Sequence, residues 1–116
     1  MEITKEAVMQ LEADFRRSRK ILTAIGDETR LHLLGIMLGG SCRGERAVDI
    51  AKKTNLSRPA VSHHLQILLD AGIVKARKEG TRIFYYLEPD ANEIGKLESL
   101  FGKIRKIVQN ALDRSE

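Results

Sequence analysis

The feature that most constrains the fold is a short helical segment joined to a longer one by a three-residue turn. Residues 47–54 predict the short helix, and Asn55-Leu56-Ser57 form the turn. Ser57 is a good N-cap for a second helix, which we expect to end just before Gly72 because glycine commonly follows a helix end. Two helices linked by so short a turn indicate a helix-turn-helix, which we place at residues 47–71.

A β-hairpin is expected directly after this motif. Residues 73–78 and 81–87 are rich in β-branched and aromatic side chains, and Gly80 between them can adopt a positive φ in a hairpin turn. A hairpin in this position makes the helix-turn-helix a winged one. The sequence therefore predicts a wing over residues 73–87 and a fold that is mainly α with a small β-hairpin.

Long helices are expected on both sides of the winged unit. Residues 4–25 carry apolar side chains at spacings of three, four and seven, which predicts one amphipathic helix. Asp27 caps a helix that is apolar nearly all round and so belongs in the centre of the fold, and Asp90 caps a final helix. The chain of 116 residues is expected to form a single domain with terminal helices at 1–25 and 90–116.

The terminal helices carry more apolar surface than a small winged domain can bury alone. A homodimer would cover this surface and would set two reading helices one DNA turn apart, roughly 34–36 Å. The alternative is that the last helix only covers the core of its own chain. The residues that we expect at the dimer interface are Leu11, Phe15, Leu97, Phe101, Ile104 and Val108.

Positive charge is concentrated in the middle of the chain. The formal net charge is +4, yet residues 43–86 hold nine Lys or Arg against four Asp or Glu, while the remainder holds eleven against twelve. A cationic surface over the helix-turn-helix and wing is expected of a protein that faces DNA phosphates. A randomly solvated surface is the alternative that this asymmetry leaves open.

The polar side of the second helix is the expected DNA-reading surface, because Val61 and Leu65 occupy the opposite, inward side. His64 lies near that inward side, so we expect it to be partly buried and hydrogen-bonded. The alternatives are a solvated helix face, or a contact of Arg58 to phosphate alone. The predicted DNA contacts are Arg58, Pro59, Ser62, His63 and Gln66 on the helix, with Lys78 and Arg82 at the wing tip.

These segments resemble the ArsR/SmtB (arsenical-resistance-repressor) family of winged helix-turn-helix regulators. The resemblance covers about residues 20–88, and the terminal helices match in position and character only. It implies a homodimeric transcriptional repressor that binds a palindromic DNA operator under the control of an effector. The matching segments are IGDETRL (25–31), DIA (49–51), LSRPAVSHHL (56–65), LLDAGIV (68–74), EGTR (79–82) and YYL (85–87).

Two kinds of metal site occur in sensors of the family that this chain resembles, and we expect both to be missing here. Thiolate-type sensors of the family carry a Cys-x-Cys pair at the start of the short helix, where this chain has Arg46 and Val48. Sensors of the other type place Asp, His and Glu ligands on the terminal helix, which has no histidine here. Soft and borderline metals favour thiolate and imidazole ligands. We therefore expect neither a metal nor a cofactor.

Cys42 is the remaining candidate for a redox or persulfide switch, because Arg43 and Arg46 nearby can activate a thiol. An incidental loop cysteine is the favoured alternative.

One cysteine, no apolar stretch of membrane-spanning length and no signal pattern at the N-terminus lead us to expect a cytoplasmic protein. No catalytic constellation emerges, so an enzyme is not expected. The alternative function is a protein–protein interaction module without specific DNA binding.

Overall fold

The computed structural model describes residues 4–89 and 92–114, with side chains as far as residue 111. It confirms the predicted fold class, which is mainly α with one antiparallel hairpin. The described elements follow in the order α1 (Lys5–Ile25), α2 (Glu28–Leu38), α3 (Ala47–Lys52), α4 (Arg58–Asp70), β1 (Lys75–Glu79), β2 (Arg82–Tyr86) and α5 (Ile94–Arg114).

Local capping signals define most helix ends. The Asp27 carboxylate accepts a hydrogen bond from the backbone N–H of Arg30 at 3.1 Å, and this bond is the main reason that the pKa of Asp27 lies below its usual value. The Ser57 hydroxyl accepts from the N–H of Ala60 at 3.3 Å, which starts α4 as predicted. Gly72 follows α4 with a φ of +77°, a backbone conformation that other residues rarely adopt.

The predicted start of the last helix is wrong. The helix α5 begins at Ile94, whose backbone N–H donates to the side-chain oxygen of Asn92 at 2.9 Å. The amide nitrogen of the same Asn92 donates to the Ile73 carbonyl at 2.7 Å, which ties the entry of α5 to the end of the helix-turn-helix. Asp90, the predicted cap, lies outside the described residues.

The wing forms with the predicted turn but with shorter strands. The register runs from Lys75 opposite Tyr86 to Glu79 opposite Arg82, and Gly80 closes the turn with a φ of +61°. The first strand was expected from residue 73. It begins at Lys75 because Ile73 and Val74 are fully buried and serve as core side chains between α4 and the wing.

The core lies where α2, α3 and α4 meet. Its fully buried side chains include Leu33, Ile50, Leu65 and Leu68, one or more from each of these helices. The prediction that α2 is buried all round is only half right. One side of α2 packs into this core, while Leu31 on its other side is exposed, and so is Leu38.

The terminal helices α1 and α5 pack against each other. Asp14 accepts a hydrogen bond from the Lys103 ammonium at 2.7 Å, and this bond is the main cause of the lowered pKa of Asp14. Leu97 and Leu100 are buried beneath α1, which makes α5 part of the chain's own core. The long helix pair gives the chain an elongated outline of 59 × 26 × 21 Å.

Candidate nucleic-acid interface

The leading end of α4 is presented to solvent because one side of the helix packs inward. Val61, Leu65 and Leu68 are fully buried against the core. The five predicted reading residues lie on the outward side, with Ser62 half-buried and the other four exposed: Arg58, Pro59, His63 and Gln66. The first turn also carries the partial positive charge of a helix N-terminus, so this end of α4 attracts anions.

Arg30 anchors α4 to the end of α1. Its guanidinium donates to the carbonyl of Ala24 at 2.6 Å and to that of Thr23 at 3.3 Å, both in the last turn of α1. A third nitrogen lies 3.2 Å from Nδ1 of His64 on α4. The expectation of a partly buried, hydrogen-bonded His64 is confirmed, and the neighbouring His63 ring meets it edge-on at 5.7 Å.

The cationic side chains of the wing differ in whether they have partners in the described structure. Arg77 donates to Glu79 at 3.0 Å and to the Arg43 carbonyl, and its guanidinium lies 5.0 Å from the centre of the Phe84 ring. Arg77 is therefore held by contacts within the wing and to the loop before α3. Lys78 and Arg82 are exposed at the tip, and neither makes an ion pair with any described residue.

A groove of about 350 Å³ joins the wing to the leading end of α4. It brings Arg58 and Ser62 of α4 together with Arg82 of the wing, so predicted residues from two separate elements line one surface. Arg46, which the sequence analysis did not select as a DNA contact, completes the lining from the start of α3. No local signal marks Arg46, because its place depends on a contact between distant segments.

That contact is a β-bridge between Glu45 and Tyr85. The N–H of Glu45 donates to the Tyr85 carbonyl at 2.9 Å, and the N–H of Tyr85 donates back at 2.8 Å. Gly44, with a φ of +106°, permits the approach, since a Cβ there would lie 3.0 Å from the Tyr85 carbonyl oxygen. The bridge fixes the start of α3, and with it Arg46, against β2.

The predicted dimer residues divide between two environments. Phe15, Phe101 and Val108 are exposed, the last two by 51% and 52%, and Leu11 and Ile104 are half-buried. Leu97 is only 4% exposed, so it packs within its own chain and offers little surface to a partner. The exposed members form an apolar stripe along α1 and α5, which Val8 and Ile94 extend: Val8, Phe15, Ile94, Phe101 and Val108.

Cys42 is exposed in the loop between α2 and α3, beside a cleft of about 180 Å³ that Met37, Tyr85 and Leu87 also line. Among the described residues, no three His, Cys, Asp or Glu side chains cluster closely enough to hold a metal ion. Nor does that part of the chain contain a helix with the length and apolar character needed to cross a membrane.

Comparison with known proteins gives the family. A family model described as "Bacterial regulatory protein, arsR family" matches residues 27–76. A Methanocaldococcus jannaschii protein named "Uncharacterized HTH-type transcriptional regulator MJ1325" is 46% identical over 85 residues, which cover 72% of this chain and 92% of that relative. The chain belongs to the ArsR family. Transcriptional repressor SdpR of Bacillus subtilis is 39% identical over 67 residues, covering 58% of this ArsR-family chain and 71% of the relative.

A solved structure supports the same architecture. The NMR structure of a Mycobacterium bovis protein, described as a homodimeric winged helix-turn-helix DNA-binding domain, superposes with a TM-score of 0.57 at 24% identity. The match covers 97% of this chain and 90% of that domain. The resemblance inferred from the sequence is therefore confirmed at the level of family and fold, and the function class of the chain is transcriptional regulation.

Proposed function

We propose that this ArsR-family chain is a homodimeric repressor that binds a specific sequence in double-stranded DNA and responds to an effector that is still to be identified. The observation that carries the proposal is the exposed leading end of α4 beside a cationic wing tip, with Arg58 and Ser62 of α4 and Arg82 of the wing lining one groove. Similarity to a protein named a transcriptional repressor supports the direction of control. Such a protein would work in the cytoplasm, where the chromosome is accessible.

The two elements have different roles in this proposal. Arg58, Ser62 and His63 enter the major groove, where an arginine can pair with guanine and short polar side chains can meet base edges. Gln66 can read adenine only after it releases Asp70, to which its amide nitrogen donates at 2.9 Å. Lys78 and Arg82 bind DNA phosphates beside the major groove and supply affinity that does not depend on the DNA sequence.

A dimer is part of the proposal because the apolar stripe of α1 and α5 is uncovered in the single chain. Large exposed apolar patches on soluble proteins mark interaction surfaces. The homodimeric state of the M. bovis domain supports a second copy as the occupant. A twofold pair presents two copies of α4, which matches an operator that is a palindrome.

Removing the two wing-tip cations tests the proposal. The double variant Lys78→Ala/Arg82→Ala should bind every duplex more weakly, with a salt dependence of log K shallower by about one unit per lost phosphate contact. The measurement is a titration of labelled duplex DNA at several salt concentrations.

The matched control is Arg16→Ala/Arg19→Ala, which removes two exposed cations from α1 instead. Its salt dependence should stay close to that of the unmodified protein. Unchanged affinity of the wing variant would favour the other reading of the fold, as a protein–protein interaction module.

A further inference from the structure

The groove between α3, α4 and the wing is lined by three arginines from three separate elements: Arg46, Arg58 and Arg82. Arg58 and Arg82 make no ion pair with any described residue, and no carboxylate is found among the described residues that line the groove. Arg46 is paired with Asp49 outside the lining, but Arg58 and Arg82 have no counter-charge, so the groove keeps an excess of positive charge and its cations repel one another. Such an arrangement is stabilised when an anion binds between them.

The position of Arg46 in this groove is built into the fold. The bridge between Glu45 and Tyr85 ties the preceding residue to the wing, and the Arg46 carbonyl accepts from the N–H groups of Asp49 and Ile50 at the start of α3. Its backbone is therefore held from both sides. Any movement of the wing at Tyr85 would carry Arg46 with it.

The side chain of Arg46 is only partly engaged. Its Nε donates to the Asp49 carboxylate at 3.3 Å, and 38% of the side chain is exposed. An arginine has five N–H donors, and within the described structure only Nε of Arg46 has a hydrogen-bond partner, so the two terminal nitrogens can bind another acceptor. Asp49 thus orients Arg46 while partly neutralising its charge.

We propose that Arg46 and Arg82 form a site for one backbone phosphate of bound DNA, beside the base-reading end of α4, and that Asp49 holds Arg46 in place while limiting its attraction for that phosphate. The inference rests on the proposed function and adds to it a contact from α3. Thr81, which also lines the groove, provides a hydroxyl donor for the same strand.

The test is a titration of the full-length protein with a labelled duplex of random sequence, between about 50 and 200 mM salt. Arg46→Ala should weaken binding roughly tenfold and lower the salt slope by about one unit per protomer. Arg46→Lys keeps a point charge without the planar guanidinium, so its DNA affinity should lie between that of Arg46→Ala and that of the unmodified protein. Arg19→Ala, which removes the same charge from α1, should stay near the unmodified protein.

Asp49→Asn provides an independent variant that should strengthen binding about two- to fivefold, the range for release of one exposed ion pair. Most of this gain should be lost when Arg46 is already alanine, because Arg46 lies closer to Asp49, at 3.3 Å, than its other cationic partner Lys52, at 4.0 Å. An equal gain in both backgrounds would mean a general charge effect and would overturn the role of Asp49. Circular dichroism and melting of each variant confirm that it is folded.

The outcomes separate this inference from the proposed function. If Arg46→Ala binds like Arg19→Ala while the wing variant binds weakly, the phosphate site is overturned and the proposed function stands. If the wing variant and Arg46→Ala both bind like the unmodified protein, both proposals fail. If Arg46→Ala does not fold, Arg46→Lys and Asp49→Asn decide the question, because each retains either the charge or the arginine.

Discussion

Replacing Phe101 and Val108 by glutamine should convert the protein to a monomer and reduce its affinity for a two-site duplex by about 10²- to 10⁴-fold. Both side chains are half exposed in the single chain and lie seven residues apart on α5, so they form one side of the apolar stripe. Polar side chains there remove the hydrophobic gain of pairing. Once the pair separates, each half-site is bound alone and the effective concentration of the second reading helix is lost.

Sedimentation and DNA titration measure this prediction, with Lys106→Gln as the matched control. Lys106 is exposed on α5, five residues beyond Phe101, so it lies about 140° away around a helix of 3.6 residues per turn. The control should remain a dimer and keep the two-site affinity advantage. A double variant that stays dimeric would show that the stripe is not the dimer interface.

Replacing Arg30 by alanine should lower the free energy of unfolding by about 2–4 kcal/mol, the second large effect expected for this chain. The side chain is only 11% exposed, and it donates to the carbonyls of Ala24 and Thr23 while also meeting His64. Alanine removes every one of these donors together. The partly buried carbonyl of Ala24 at the end of α1 would then lose its partner, and α4 would lose a link to the rest of the fold.

Chemical denaturation at equal protomer concentration measures the effect, since the stability of a dimer depends on concentration. Arg16→Ala is the control, because Arg16 is exposed on α1 and its removal should change stability by about 0.5 kcal/mol or less. Equal stability of the two variants would contradict the anchoring role of Arg30.

The parts of the fold that were predictable from the sequence depend on local chemistry. Asp27 and Ser57 are caps whose side chains satisfy N–H groups three residues on, and Gly72 and Gly80 stand where the backbone turns with positive φ. The inward face of α4 followed from its helical spacing. Each of these features is determined within a few residues along the chain.

The parts that were missed depend on contacts between distant segments. The sequence places Leu97 at the same dimer interface as Phe101 and Val108, whereas the structure buries Leu97 beneath α1 and leaves Phe101 and Val108 in solvent. The spacing of apolar residues on a helix does not show which of them pack against their own chain and which remain exposed. Arg46 escaped selection for the same reason, since only the bridge from Glu45 to Tyr85 brings it beside the wing.

The central claim is that two copies of α4 read a DNA duplex together in a twofold arrangement. Selection of bound duplexes from a random pool, followed by sequencing, tests this claim directly. The account predicts a palindromic consensus whose half-sites are separated by about one helical turn, 10–10.5 base pairs between centres, or a multiple of it. A pool without any enriched sequence, or a consensus with one unsymmetrical half-site, would contradict the account.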